Sequence, residues 1–420
     1  MAYAIAGLSH FLITVFLYHL ATFMVIPAIT DVTMSALCPG RDECSIAIYL
    51  SGFQQAITGL GSVIIAPLVG NLSNIYGRKV LLILPMTLAI FPLVILACSR
   101  TTSLFYAYYV LKTLTSMLCD GSVQCLSLAY VADSVPDSQR VSAFGILAGI
   151  VSAAFVCGTL TARFLSTSST FQVSASVAVL AAVYMMAFLK ESICEDLNDP
   201  KQQVSEKSPF IICSNGDPIR KAQFLLLLTD QPPYLTFSQA AIVAFFTNLA
   251  EGALHSPLLY YLKARFHFSK DQFADLMVIS GIAGAISKLV VMPTLLALTL
   301  GEEKLLTIGL LANCTHMFLY SISWASSMLG NGELYPCFPM YVYVGMHYPG
   351  KAQGCISGIC SFANIISPLA FTPLTALFLS ENAPFHFPGF SIMCIGFASL
   401  QQTALKEMPA FHKVLTAVCS

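Results

Sequence analysis

Charged residues are scarce in this chain of 420 amino acids, where Asp, Glu, Lys and Arg together make up only 10% of the sequence. A typical soluble domain carries about 25%. So few charges cannot cover a surface that faces water, and hydrophobic residues account for 56% of the chain. The mean hydropathy of +0.76 points the same way. The composition therefore excludes an ordinary soluble protein and predicts an integral, multi-pass membrane protein.

The motifs of enzyme and nucleotide chemistry are also missing. The sequence has no phosphate-binding loop ending in Gly-Lys-Ser/Thr, no zinc-ligand spacing and no nucleophile elbow. A net charge of −1 gives no indication of nucleic acid binding. We therefore expect neither an enzyme nor an ATP-driven pump, no resident cofactor and no metal site.

Cysteines are numerous but are not spaced as metal sites require. The 14 cysteines are scattered singly, mostly inside apolar runs, and none forms a CxxC pair. Cys38 and Cys44 differ from the rest because they flank a polar loop. If that loop faces an oxidising compartment, the two can form a disulfide; two free thiols fit the spacing equally well.

Long apolar runs dominate what the sequence does contain. A membrane-spanning helix needs roughly 20 mainly apolar residues. Six such runs, numbered here as spans 1 to 6, come first: Leu8–Ile29, Ile46–Val69, Val80–Cys98, Leu104–Val131, Val141–Leu165 and Phe171–Leu189. Later runs are Phe237–Leu262 (span 7), Phe273–Leu300 (span 8), Leu305–Trp324 (span 9), Ala352–Leu379 (span 11) and Phe390–Leu400 (span 12).

A polar stretch separates the two sets of spans. We therefore predict an N-terminal six-helix bundle over residues 1–190, a linker over 191–235 and a C-terminal bundle over 236–420. Matching prolines indicate a weak repeat, but their spacing falls from 230 residues (Pro27 to Pro257) to 213 (Pro136 to Pro349).

The decrease in spacing indicates that residues are missing from the second half at the place where span 10 belongs. Residues 325–349 include Asn331, Gly332, Glu333 and three prolines, which do not suit an ordinary spanning helix. We interpret the chain as a truncated or aberrantly spliced protein, with a broken helix that lines a cavity as the alternative. Span 12 is also short.

One decapeptide, Gly70–Lys79 (Gly-Asn-Leu-Ser-Asn-Ile-Tyr-Gly-Arg-Lys), is called the motif segment below. We predict a short loop there. It resembles the signature loop of the major facilitator superfamily, in which Gly70, Gly77, Arg78 and Lys79 match and Asn74 replaces an Asp. In that family the Asp helps to latch two bundles in one state, so Asn74 implies a latch of lower charge.

Three further stretches extend the resemblance. Ala129–Ser134, with Asp133, followed by Arg140, is similar to the junction of helices 4 and 5 in tetracycline-efflux proteins. Gly301–Lys304 and Lys351–Gly354 are similar to the plant branch of tetracycline-transporter-like, hippocampus-abundant-transcript-like proteins, themselves distantly similar to proton-coupled folate transporters. The resemblance implies an all-α major facilitator fold of two six-helix bundles. It also implies transport by alternating access. Residues 325–349 and the short span 12 predict that helices 10 and 12 of this chain are degraded or shortened.

The distribution of basic residues predicts the orientation. Loops on the side of the motif segment carry more Lys and Arg than those on the other side. By the positive-inside rule, the motif segment, the linker and both termini are cytoplasmic. We expect a plasma-membrane, vacuolar or other endomembrane location.

Ionisable residues inside spanning helices are costly and are therefore functional candidates. Span 4 carries Lys112 and Asp120, span 7 carries Glu251 and His255 one turn apart, and span 8 carries Lys288. A desolvated carboxylate can load and release a proton near physiological pH, and His255 could share the proton of Glu251. The alternative is a static ion pair that only orients helices.

These observations predict a secondary active transporter for a small organic solute, coupled to protons. The lysines favour an anionic or zwitterionic solute. We expect a monomer in the lipid bilayer, without a nucleic acid partner. The competing interpretation is a transport-inactive or truncated isoform, or a membrane receptor or scaffold.

Overall fold

A computed structural model describes residues 2–40, 43–136, 140–189, 234–286, 311, 314–315, 317–322, 350–380, 383–385 and 387–406. Within these residues the regular structure is helical and no strand occurs. The helices are α1 (Ala2–Leu37), α2 (Ser45–Tyr76), α3 (Arg78–Leu88), α4 (Ile90–Cys98), α5 (Thr102–Ser134), α6 (Arg140–Phe164), α7 (Thr167–Phe188), α8 (Tyr234–Phe266), α9 (Lys270–Ile286), α10 (Gly350–Leu379) and α11 (Phe390–Lys406).

Six stretches of the described helices are long and apolar enough to cross a membrane. They are Leu8–Leu37, Ser45–Ile65, Arg78–Cys98, Ala143–Phe164, Thr167–Phe188 and Ile359–Leu379. The prediction of an all-helical membrane protein is confirmed. Helix α5, which carries Lys112 and Asp120 in its interior, is not among the six.

The third span is broken into α3 and α4 at Ala89. Proline explains the position of the break. Pro92 has no N–H to donate to the carbonyl of Leu88, the residue at which α3 ends. The Ala89 N–H instead donates to the carbonyl of Pro85 at 3.1 Å, so the chain continues in nearly the same direction.

The packing divides the chain into two compact units. So far as they are described, the first comprises Met1–Lys207 with Leu262–Ala285, and the second comprises Ser208–Tyr261 with Ile286–Ser420. The last turn of α8 and nearly all of α9 therefore pack with α1–α7. The division into two six-span halves at residues 190 and 236 stays a prediction.

The first unit is held together by close helix contacts around two apolar clusters. One cluster includes Phe11 and Leu126, and the other includes Phe105 and Phe171; all four side chains are almost fully buried. Gly158 brings α6 against α1, because a Cβ there would lie 3.0 Å from the carbonyl oxygen of Leu20. Small residues at such contacts are typical of membrane helices.

The described part of the second unit packs α8, α10 and α11 around Leu249, Met317 and Ile395. Helix α11 continues from the predicted end of span 12, Leu400, to Lys406. Residues 325–349 lie outside the described residues, so the predicted irregularity of helix 10 stays a prediction.

Candidate functional site

The motif segment is two helix ends joined at a single glycine. Helix α2 continues to Tyr76 and α3 begins at Arg78, which corrects the predicted loop over Gly70–Lys79. Gly77 alone separates the helices. Its φ of +94° lies in the region that favours glycine, and its N–H donates to the carbonyl of Ser73 at 3.1 Å. The reversal therefore needs only one residue.

Arg78 ties the end of α2 to the end of α5. Its Nε donates to Oδ2 of Asp133 at 2.8 Å, and its side chain is 12% exposed. The same guanidinium donates to the carbonyl of Gly70 at 3.4 Å and to the hydroxyl of Ser73. A planar group with several donors suits such a junction. The sequence analysis assigned Asp133 to the junction of helices 4 and 5. In the structure its carboxylate also contacts Arg78 of the motif segment.

Lys79 contacts a third helix, α7. Its Nζ donates to the carbonyl of Met186, in the last turn of α7, at 3.2 Å. A cation at a helix C-terminus is stabilised by the exposed carbonyls of the last turn. The two basic residues thus join the ends of α2, α5 and α7 within one unit. The side chains of Asn74 and Arg140 lie outside the described part of the structure.

Asp120 marks a polar face in the interior of the first unit. Its side chain is exposed, and it lies about 21 Å along α5 from Ser134. Ionisable side chains at that depth of a membrane helix generally face the bundle interior or water rather than lipid. Asp120 interacts electrostatically with Tyr18 of α1, and both Asp120 and the half-buried Lys112 act on Cys119. The structure therefore brings the two charged candidates of α5 to one neighbourhood.

Four ring-bearing side chains, called the aromatic wall below, form a row from α1 to α6, and the first of them, Tyr18, interacts electrostatically with Asp120. Tyr18 packs edge-on against His19, with ring centroids 5.3 Å apart. His19 stacks on Phe23 at 5.5 Å, and Phe23 meets Phe155 of α6 edge-on at 5.2 Å. His19, Phe23 and Phe155 are half-buried. The sequence analysis did not identify this row of rings; the i, i+4 spacing of His19 and Phe23 was the available signal.

Glu251 lies at the contact between α8 and α10 in the second unit. It is half-buried and interacts electrostatically with Cys360 of α10. The adjacent Gly252 allows the close approach, because a Cβ there would lie 3.1 Å from the hydroxyl oxygen of Ser367. That hydroxyl donates to the carbonyl of Leu249 at 2.6 Å. The side chain of His255 and the whole of Lys288 lie outside the described residues.

An ion pair joins the far ends of α1 and α8 within the first unit. Lys263 Nζ donates to Oδ1 of Asp31 at 2.7 Å, and the two side chains are 17% and 27% exposed. Asp31 lies beyond Ile29, where the sequence predicted span 1 to end, but the helix continues to Leu37. Sequence reasoning missed this pair because 232 residues separate its members.

A second set of ion pairs joins α6 to α9. Arg163 Nε donates to Oδ1 of Asp275 at 2.7 Å, and its terminal nitrogen lies 3.4 Å from Oδ2 of Asp271. These side chains are between 37% and 50% exposed, so solvent screens them more than the Asp31–Lys263 pair.

Lys270 reinforces this junction from inside. Its side chain is 10% exposed, and its Nζ donates to the carbonyl of Ala162 at 2.8 Å and to that of Leu165. Both carbonyls lie at the end of α6, where a cation is favourable. The start of α9 is therefore fixed to the end of α6 by backbone acceptors as well as by charge.

Cys38 and Cys44 are bonded to each other, with their Cα atoms 6.1 Å apart. The disulfide closes the connection between α1 and α2, at the end of α1 that also carries Asp31. Among the residues that the structure describes, no group of three or more His, Cys, Asp or Glu side chains could hold a metal ion.

This helical architecture is that of a multi-pass membrane protein, and comparison with known proteins gives the family. The model of the Major Facilitator Superfamily matches residues 11–368. The chain therefore belongs to that superfamily, as the motif segment predicted, and it is not an enzyme. The predicted major facilitator fold is confirmed.

Relatives and one solved structure place the chain within the superfamily. It is 23% identical over 332 residues to hippocampus abundant transcript-like protein 1 of Bos taurus, covering 77% of this chain and 63% of that protein. Identity to the class G tetracycline resistance protein of Vibrio anguillarum is also 23%, covering 77% and 80%. The crystal structure of a D-xylose-proton symporter superposes with a TM-score of 0.65 at 16% identity, covering 94% and 97%.

Proposed function

We propose that this protein is a secondary active transporter that moves a small anionic or zwitterionic organic solute by alternating access, coupled to protons. The exposed carboxylate of Asp120 carries the proposal. An ionisable group in the interior of a membrane helix is costly unless it has a function, and both this carboxylate and Lys112 of the same helix act on Cys119. An ammonium and a carboxylate on one wall suit a solute that carries both charges.

Glu251 is the proposed proton-coupling residue. It is a half-buried carboxylate on α8, packed against α10 among side chains that include Cys360. A carboxylate in such surroundings exchanges protons with the solvent only when water reaches it. The D-xylose-proton symporter, whose fold this chain shares, couples its solute to a proton, and we extend that coupling to this chain.

The pairing of α8 and α9 with α1 and α6 supports alternating access. Asp31–Lys263 and Arg163–Asp275 connect residues that lie on either side of the polar linker in the sequence. In an alternating-access cycle these ion pairs break when the cavity opens on their side of the membrane and re-form when it closes.

The disulfide supports an orientation. A Cys38–Cys44 bond persists in an oxidising compartment, so the α1–α2 connection would face the exterior or an organelle lumen. The motif segment, at the opposite ends of the same helices, would then be cytoplasmic, as the positive-inside rule predicts. We further propose that the transporter acts as a monomer at the plasma, vacuolar or other endomembrane.

Purified protein in proteoliposomes tests the proposal. A panel of zwitterionic and anionic solutes is offered with and without a pH gradient. We expect accumulation driven by the gradient, which Glu251→Gln abolishes while solute exchange at equal pH continues. Glu251→Asp is the control, because it keeps a protonatable group. Gradient-driven accumulation that survives in Glu251→Gln would remove Glu251 from the mechanism, and no uptake of any solute would contradict transport.

A further inference from the structure

The contact between α8 and α10 in the second unit is apolar except at one turn. Leu249 and Ala250 of α8 belong to the same buried cluster as Ala363 and Phe371 of α10. Glu251 follows directly in the sequence, about 26 Å from the start of α8 and about 22 Å from its end. A carboxyl group at that depth is costly unless neighbouring side chains bind it. The side chains that α10 presents to this turn therefore decide how Glu251 is held.

Helix α10 presents one polar face to this turn of α8. Cys360, Asn364 and Ser367 have the i, i+4, i+7 spacing that places side chains within about 60° of one another around a helix. Cys360 interacts electrostatically with Glu251, and both Asn364 and Ser367 lie against Gly252. The first two side chains of the face are half-buried, and the third is fully buried. The polar face thus runs along the turn that carries the carboxyl group.

The three side chains of this face differ in what they can offer Glu251. The hydroxyl of Ser367 donates to a backbone carbonyl of α8 at 2.6 Å, which engages its only proton. The thiol of Cys360 is a weak donor and a weak acceptor. Asn364 directs its Oδ1 atom at α8, because that atom would lie 3.3 Å from a Cβ at Gly252. An amide oxygen therefore lies one residue from Glu251, within reach of its flexible side chain.

An amide oxygen distinguishes the two protonation states of a carboxyl group. A carboxylate has only acceptors, so it forms no hydrogen bond with another acceptor. A protonated carboxyl group has one O–H donor, which an amide oxygen can accept. The orientation of Asn364 therefore suits the protonated form of Glu251 and not its ionised form.

The other titratable groups that the described residues place around this turn are thiols. Cys360 lies on α10, and Cys394 of α11 packs against the same apolar cluster. Thiols stay neutral below about pH 8. Among these groups, a proton taken up near neutral pH therefore goes to the carboxyl group of Glu251.

We propose that Asn364 is the positioning residue for the proton on Glu251. Its Oδ1 accepts the O–H of the protonated carboxyl group and holds that side chain against α10. When the proton returns to water, the carboxylate loses this hydrogen bond, and the contact between α8 and α10 is weaker by one bond. This role rests on the proposed proton coupling and extends it from a single residue to the contact of two helices.

Infrared spectroscopy of the purified full-length protein tests this hydrogen bond without any transport. The C=O stretching band of protonated Glu251 is the band that Glu251→Gln removes. Asn364→Leu replaces the amide by an apolar group of similar size, and it should shift that band to higher wavenumber because the acid loses its acceptor. Asn364→Ala should give the same shift if Asn364→Leu fails to fold. Asn248→Leu is the matched control: its amide donates to the carbonyl of Ala244 in its own helix, so the band should not move.

The proton dependence of uptake measures the same bond in proteoliposomes. Without its acceptor the proton is bound more weakly, by the net contribution of one hydrogen bond. Asn364→Leu should therefore raise the proton concentration that gives half-maximal gradient-driven uptake by about 2- to 12-fold. Uptake at saturating proton concentration should be kept. Asn364→Gln, which retains an amide, should return the proton dependence towards that of the parent.

Two results would overturn the role of Asn364. One is an unshifted band in Asn364→Leu, and the other is a fall in the required proton concentration, which would mean that the amide stabilises the carboxylate. Uptake that depends on Glu251 but keeps its proton dependence in Asn364→Leu would refute this role and leave the proposed coupling intact. A band that shifts as expected in a protein that moves no solute would keep this role and refute transport.

Discussion

In the proposed alternating-access cycle, neutralising Asp31 should favour the arrangement that is open on the side of the disulfide. The carboxylate lies 2.7 Å from Lys263 Nζ, and both side chains are less than one third exposed. Two unit charges 4 Å apart at an effective dielectric constant of 20 attract by about 4 kcal/mol, and desolvation of both groups offsets much of that. We expect a net contribution of about 1 to 2 kcal/mol, which corresponds to a population ratio of about 5 to 30.

Thiol accessibility measures the fraction of the protein that is open on the side of the disulfide. A cysteine introduced at Ile26, which is half-buried and lies about one and a half turns before Asp31 in α1, is labelled by a membrane-impermeant maleimide added on the side of the disulfide. Asp31→Asn should raise the labelling rate by about 5- to 30-fold, because the closed arrangement loses its ion pair. Lys263→Gln should raise it by a similar factor.

A charge reversal and a control complete the experiment. Asp31→Lys combined with Lys263→Asp should return labelling towards the parent rate, whereas either reversal alone should not. Arg265→Gln, which removes a cation from the same end of α8, should leave the rate unchanged. If Asp31→Asn and the parent are labelled equally fast, the pair does not stabilise a closed arrangement and our reasoning is refuted.

Three further predictions concern the frame of the first unit. Arg78→Gln should lower the midpoint of thermal unfolding in detergent more than Asp133→Asn, because the guanidinium also holds the carbonyl of Gly70; equal losses would contradict this network. Gly158→Val should destabilise the protein strongly, since a Cβ there meets the α1 backbone, whereas Gly145→Ala, with no described atom within 4 Å, should be neutral in the same measurement. Alkylation of the purified protein in detergent should label the α1–α2 connection only after reduction, and labelling without reductant would show free thiols.

The positions of the spanning helices could be predicted because hydropathy is local. Apolar runs located α1 to α7, and the missing N–H of Pro92 explains the break between α3 and α4. Helix ends were harder, because polar residues at a membrane surface suit a helix and a loop equally. Span 1 was predicted to end at Ile29, yet the helix continues to Leu37, and Asp31 within this extension is neutralised by Lys263.

The contacts of the candidate site could not be predicted, because they depend on which helices become neighbours. Nothing local in the sequence indicates that Arg78 reaches Asp133 or that Lys79 reaches Met186. The charged candidates Lys112, Asp120 and Glu251 were identified by the cost of burying a charge, which is a local property. The aromatic wall was missed for the opposite reason: phenylalanine is ordinary in a membrane helix, and only its neighbours distinguish one ring from another.

The attachment of Lys270 has a consequence for the response of the protein to salt. Its main acceptors are the backbone carbonyls of Ala162 and Leu165, and its side chain is only 10% exposed, so dissolved ions screen this contact little. The side chains that pair Arg163 with Asp271 and Asp275 are 37% to 50% exposed, and salt screens their attraction more. High ionic strength should therefore weaken the ion pairs between α6 and α9 while Lys270 still holds the two helix ends together.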